Sequence, residues 1–354
     1  MTRWERQCSA VFGLLTARLA QLAMGAGVLA LVVGLALQRA PVVFAALAAS
    51  WLFFAGISAG GVAVAASIRI AQGRWAREVL PTAEASIGFF VPAFGILMLL
   101  TFGAPLWMPW AIHARPAEWL PLAIRDLVLT GILFWSGRRF VRSDRLGDPR
   151  IRSAVGYALL YAVTLSVWAV DLVMSLHEWA PSTAIPAYYF MGAFVSGLAW
   201  VAFVSCVQRS PRPKMDVRQN VGTLLFGFIT FLAYLLWSIF LATWYANLPD
   251  ETGQLLARWQ GVYRPLALGV IIVSLIFPFS FLLMEEAKQR RGTLAIGAAS
   301  VLLGLFVERF LLVMPSLHPI GGMLSILLGA GTAAGVAGLF TLTVGAELGS
   351  ASTA

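Results

Sequence analysis

Ten apolar runs, each long enough to cross a bilayer as a helix, occupy most of this 354-residue chain. A spanning helix needs about 20 mostly apolar residues. The runs fall near 11–37, 42–70, 84–108, 120–140, 153–176, 186–208, 218–246, 263–287, 293–313 and 322–347. Lipid offers the backbone no hydrogen-bond partner, so runs of this length read as helices that satisfy themselves. Charge scarcity points the same way: 12% of residues are charged and 60% hydrophobic, where a water-soluble domain carries about 25% charged residues. That excludes a soluble enzyme, a disordered chain and a disulfide-stapled secreted domain. The expected fold is an all-α membrane protein of about ten transmembrane helices, a single polytopic domain over residues 1–354 with no soluble domain attached. The first run is too long for a signal-peptide core and shows no convincing cleavage site, so it is read as a helix.

The short connections give the orientation. Cations concentrate on the cytoplasmic side of membrane proteins. Arg3 and Arg6, with the connections after runs 2, 4, 6 and 8, hold 18 of the 25 Lys and Arg residues. The alternate connections hold four: Arg39, Arg115, Arg258 and Arg264. The bias predicts both termini in the cytoplasm and the segments 109–119, 177–185, 247–262 and 314–321 outside. The pI of about 10.2 therefore reports topology, not nucleic-acid binding.

Two GxxxG pairs, Gly56–Gly60 and Gly331–Gly335, would allow close helix approach. Pro92, Pro105 and Pro278 lie inside expected helices and should kink them, each freeing a carbonyl.

Ionisable groups within a span are costly and mark function by default. Here they are Arg18, Glu84, Arg125, Asp126, Asp171, Glu308 and Arg309. At the helical rise, Asp171 lies roughly 27 Å and Glu308 roughly 22 Å from the cytoplasmic start of their runs, and Asp126 about 9 Å from the outer end of its own. The three carboxylates, with Arg125 and Arg309, fall in one outer layer. Structural roles stand beside the functional one. Asp126 and Glu84 follow prolines near helix starts, where a negative charge suits the helix dipole. Arg309 can snorkel or offset a carboxylate, and Asp171 can pair with Arg309 or Arg125. His113, His177 and His318 lie at or near outer loops, His177 beside Glu178 and six residues after Asp171. No histidines face each other at mid-membrane, which excludes a di-haem arrangement. Two cysteines cannot hold an iron–sulfur cluster, which needs about four. No metal-ligand cluster or phosphate loop is present, so the chain is expected to bind no metal or redox cofactor of its own.

The stretch Asp171-Leu-Val-Met-Ser-Leu-His-Glu-Trp-Ala-Pro-Ser-Thr183, followed by Tyr188-Tyr-Phe-Met-Gly-Ala-Phe-Val-Ser-Gly197, resembles the central motif of NrfD-type membrane subunits, relatives of the polysulfide reductase membrane anchor. Tyr245-Ala-Asn-Leu-Pro-Asp-Glu251 resembles a stretch of the second such subunit, ActF, of bacterial alternative complex III. Glu308-Arg-Phe-Leu-Leu-Val-Met-Pro-Ser-Leu-His318 is similar to a segment of its sister subunit, ActC. The resemblance covers most of residues 40–320. It implies a bacterial inner-membrane complex that oxidises quinol and passes electrons to cytochrome c or an oxidase. It implies ten helices arranged as two four-helix bundles with flanking helices. Haem c and iron–sulfur clusters would sit in partner subunits: an iron–sulfur protein, a multihaem cytochrome c and a sister NrfD-like subunit. Quinone is the one ligand this chain itself would share, although helices 1 and 2 lack the His that quinone pockets of relatives use.

Three functions follow. In the first, the chain is a cofactor-free subunit of the oxidoreductase that supports quinol oxidation and proton transfer. Asp171 is then the outer proton carrier, Glu308, Asp126 and His177 its neighbours, Arg309 and Arg125 their counter-charges, and Glu84 with Arg18 the inner entry. Hydroxyls such as Thr101, Thr164, Ser166, Thr230, Tyr234, Ser238 and Ser274 could carry water between the layers. In the second, the chain is a docking subunit and the polar layer is interface glue. The third, a secondary transporter, fits the span count but not charges that avoid the midplane, where such sites lie.

Overall fold

The computed structural model contains ten helices long and apolar enough to cross a membrane. They are α1 (Thr16–Ala36), α2 (Ala40–Ile70), α3 (Leu80–Phe102), α4 (Pro116–Arg145), α5 (Ile151–Leu176), α6 (Ala184–Val207), α7 (Met215–Ala246), α8 (Tyr263–Leu282), α9 (Arg291–Val313) and α10 (Gly322–Ser350). The structure describes residues 3–147, 151–176, 182–208, 213–247, 252–253, 256, 258–261, 263–317 and 322–351, with backbone alone for 3–15, 316–317 and 351. Each expected run overlaps one of these helices, several of which start or end a few residues outside it, and no strand occurs among the described residues.

Helices α2 to α5 pack on one another as one four-helix group, and α6 to α9 as a second. The seam between them is α2 against α6. Helix α1 lies along α10, which in turn packs on α2. Helix α2 is buried along nearly its whole length. Its sequence explains this: alanines and glycines at Ala45, Ala46, Ala48, Ala49, Ala55, Gly56, Ala59, Gly60 and Gly61 let neighbours approach on every side. By contrast α7 turns Leu224, Phe231, Trp237 and Leu241 outward, as a lipid-facing helix does.

Both GxxxG pairs sit at such contacts. A Cβ built on Gly60 would collide with the Ala193 carbonyl of α6, and one on Gly197 with the backbone of Gly60 and Gly61. Gly335 meets Gly27 of α1 backbone to backbone, and Gly331 meets Ala30.

The prolines act where they stand. Pro92 cannot donate to the carbonyl of Gly88 and its ring crowds it; α3 accordingly runs as a 3-10 turn over Ala85–Phe89 before resuming at Phe90. Pro278 stands in the same relation to Ser274, and α8 widens to a π-turn over Ile271–Ile276. Pro105 does not kink a helix, contrary to expectation. Helix α3 ends at Phe102, not 108, with Gly103 closing it and Pro105 in the short turn Ala104–Leu106. Helix α8 likewise ends at Leu282, and a separate short helix, Glu285–Gln289, follows.

Candidate functional site

The polar residues buried in this apolar frame form three clusters. The first lies in the α2–α5 group, at the end of the molecule poor in cations. Arg125 and Asp126 come from α4 and Asp171 from α5. Arg125 Nη2 donates to Asp171 Oδ2 in an ion pair. The Asp126 carboxyl faces that of Asp171, and both residues are buried, at 2% and 7% exposure. Ser175 Oγ donates to the Asp171 carbonyl one turn back. Asp126, Asp171, Thr101, Trp110 and Trp119 line a cavity of about 20 Å³, room for one water. Trp110 Nε1 and Asp126 Oδ1 are buried without hydrogen-bond partners, and both residues line that cavity. A single water there would accept from one and donate to the other. Below the cluster, Trp168 Nε1 donates to Thr130 Oγ1 at 2.9 Å, and the Trp168 ring lies 4.6 Å from that of Trp51. These contacts lock α2, α4 and α5 together.

The second cluster belongs to the α6–α9 group. Glu308 Oε2 and Arg309 Nη1, on α9, are 3.2 Å apart. Arg309 is 1% exposed. Its guanidinium lies 4.5 Å from the Tyr189 ring centre of α6, a cation–π contact strengthened by desolvation. Gly192 makes room for it, since a Cβ there would approach Arg309 Nη2 to 2.7 Å. Tyr188 faces Glu308. Arg258, from the connection before α8, donates from Nε to the Leu311 carbonyl at 3.1 Å. Burial pulls the Arg258 guanidinium below its ordinary value, against the opposing pull of Glu308 and then Tyr188.

The third cluster returns to the α2–α5 group, at the cation-rich end. Arg69 Nε of α2 pairs with Asp144 Oδ1 of α4 at 2.7 Å. Arg145 Nε reaches Glu84 Oε2 of α3 at 3.4 Å, and its Nη1 reaches Glu347 Oε2 of α10 at 3.2 Å. The carboxyls of Glu84 and Asp144 face each other, and both residues are buried.

The expected outer layer is therefore two clusters, not one. Asp126 and Asp171 have Arg125 as their cation; Glu308 has Arg309 and Arg258, and no ion pair among the described residues joins the two groups. The aromatic wall of α5 and α6 stands between the groups, with Tyr161 Oη donating to the Phe190 carbonyl and Tyr189 Oη to the Leu52 carbonyl. Of the expected inner pair, Glu84 is buried with Arg145 as its partner, whereas Arg18 is exposed on α1. His177, His318 and the Leu248–Glu251 part of the motif lie outside the described residues. Among the described residues no group of three His, Cys, Asp or Glu is placed to hold a metal ion.

The hydroxyls also sort. Thr101, Ser166, Thr230, Ser238 and Ser274 donate to the carbonyl one turn back, and Tyr234 is exposed. Thr164 alone of the expected set is buried with no hydrogen-bond partner. Ser58 and Ser86, also buried and unpartnered, join it in the α2–α5 group.

Asp144 and Arg145 escape a reading of apolar runs because the run ends near 140 while α4 continues to Arg145. A signal was present. Asp126 and Asp144 are 18 residues apart, five turns of about 3.6 residues, so they share one helix face. Thr130, Leu133, Gly137 and Phe140 complete that buried stripe.

Compared with known proteins, residues 145–321, half of the chain, match the family described as polysulphide reductase, NrfD. No curated protein matches the chain.

Proposed function

The chain belongs to the polysulphide reductase NrfD family, a multi-pass membrane subunit of a redox complex, and from that premise we propose that it serves a quinol-oxidising complex of the alternative complex III type, in the position of ActF. The Asp171–Thr183 and Tyr245–Glu251 motifs support that finer placement. Family members work with iron–sulfur subunits. In this reading the partners are such a subunit, a multihaem cytochrome c and a sister NrfD-like chain, in a bacterial cytoplasmic membrane. In this reading the cation-rich end faces the cytoplasm, which the bias of Lys and Arg supports.

The chain's own contribution is a proton path through the α2–α5 group. The observation that carries this is the pair of facing carboxyls at each end of one helix. Asp126 with Asp171, and Asp144 with Glu84, sit about 27 Å apart along α4, each flanked by arginine. Two carboxyls that face each other are suited to sharing a proton, because two like charges at that range repel. Arg125 offsets the charge left behind when the proton departs. Thr164, Ser58 and Ser86 lie in the group between them with hydroxyls free to bond water. Quinol oxidation releases protons, and a buried carboxyl near the reaction accepts and passes them on. The Glu308 cluster is assigned a second, separate role in anchoring α9 to α6.

A docking role is the second reading, favoured by the Arg125–Asp171 ion pair, which gives Asp171 a static partner. One experiment separates the two. The tagged chain is purified from native membranes in mild detergent, and haem, iron and quinol:cytochrome c activity are followed. Co-elution of all three supports membership of the complex. With Asp171→Asn, the relay predicts an assembled complex with slowed turnover and proton release; a docking role predicts lost partners with normal turnover in what remains. Unchanged turnover and proton release in an intact complex sinks the relay.

A further inference from the structure

A cavity of about 510 Å³ opens on the side of the molecule among α2, α8, α9 and α10, bordering the Glu308 cluster at Leu311, whose carbonyl accepts from Arg258. Its polar residues gather at one end. Gln38 and Arg39 stand in the turn before α2, Tyr263 at the start of α8 and Ser325 near the start of α10. These helix ends lie on the cation-poor face of the molecule. From there the lining turns apolar, past Phe306 to Ala333, about 12 Å deeper along α9 and α10. The cavity is thus amphipathic along its length, with the polar end where a bilayer's headgroups begin.

Its charge is one-sided. Among the described residues of the lining Arg39 is the only cation, and none of them is Asp or Glu. Arg39 is exposed and pairs with no carboxylate among the described residues. Helix α2 begins beside it with no side-chain cap and no acidic residue in its first turn, so the positive end of a long helix faces the same mouth. A neutral occupant leaves both positive features unanswered; an anionic head with an apolar tail answers both.

We propose that this cavity holds an acyl chain of an anionic phospholipid whose phosphate lies against Arg39 and the first turn of α2. The lipid fills the gap between the first turns of α8 and α10, and so ties α10 to the second bundle. This assignment is independent of the redox reading above.

The full-length chain is placed in phosphatidylcholine nanodiscs doped with chain-labelled phosphatidylglycerol or phosphatidylcholine spin probes, and the motionally restricted component is measured by electron paramagnetic resonance. The wild type is expected to prefer phosphatidylglycerol by about fivefold, the ratio that one interfacial cation supplies. Arg39→Gln should bring that ratio close to one while the restricted component persists. Ala330→Trp, at an exposed lining position, should remove the preference by filling the cavity. Leu327→Trp, on the same helix, 61% exposed and outside the lining, should leave it intact. Both test positions are on the surface, so each variant is expected to fold, which size-exclusion profiles check. A preference that survives Arg39→Gln and Ala330→Trp would overturn the proposal. So would no preference in the wild type, or a neutral quinone extracted from the wild type and lost in Ala330→Trp.

Discussion

A carboxylate in a bilayer needs either a cation or a proton, and Asp171 has a cation in Arg125 and a second carboxyl beside it in Asp126. Removing the arginine strands the carboxylate. Arg125→Leu should therefore destabilise the protein by about 1–3 kcal/mol, the cost of a buried polar group left unsatisfied. Arg125 is partly exposed, which places the effect toward the lower end. The double variant Arg125→Leu with Asp171→Asn should recover most of that loss, because a neutral amide needs no counter-ion. Thermal unfolding of the purified protein, followed as a double-mutant cycle, reads this directly. Trp110 gives a finer probe of the same site. Trp110→Phe keeps an aromatic ring against the cavity but removes the Nε1 donor that shares its room for one water with Asp126. Slower proton release with unchanged assembly is the expected result. An unchanged rate would mean that the water position takes no part in transfer.

At the scale of elements, the seam between α2 and α6 is where side-chain volume is least tolerated. Gly60→Leu places a side chain against the Ala193 carbonyl, which belongs to the backbone and cannot step aside. Overpacking of this kind costs about 1–3 kcal/mol where side chains can move, so the seam should lose at least that. The expected outcome is loss of a monodisperse elution peak. Gly269→Leu, at a position where a Cβ meets nothing within 4 Å, should be tolerated. This contrast also marks what sequence can and cannot tell. Lipid demands long apolar runs, and that demand acts on each helix alone, so ten spans were legible run by run. The GxxxG pairs announced close approach but not their partners, because which helices meet is settled by shape across the whole molecule. The same limit explains the outer layer. Depth along each helix follows from counting residues and puts Asp171 and Glu308 in one layer; only lateral packing assigns them to different bundles. Asp144 was hidden for another reason. It lies past the apolar run, among the loop arginines 138, 139, 142 and 145, where a charge looks solvated.

For the whole molecule, the two bundles make separable claims. The α2–α5 group has facing carboxyls at both ends of α4 and unpartnered hydroxyls between, whereas in the α6–α9 group the buried carboxylate among the described residues is Glu308, tied to Arg309, with Arg309 stacked on Tyr189. If protons cross by the first group, neutralising either end should matter equally. Asp144→Asn, about 27 Å along α4 from Asp126, touches no part of the quinol-side layer. It should still lower proton-coupled turnover by about a hundredfold, at the low end of what a positioned acid–base group contributes. Glu308→Gln should behave differently. It leaves Arg309 buried without a carboxylate, so it should lower thermal stability, and turnover in the surviving complex should stay near wild type. Measuring both variants in proteoliposomes, with quinol oxidation and proton release recorded together, gives a two-by-two outcome. A path through α2–α5 requires loss of rate with Asp144→Asn and loss of stability with Glu308→Gln. The reverse pattern would move the path to the second bundle and make the Asp144–Arg69 network a structural tie between α2 and α4.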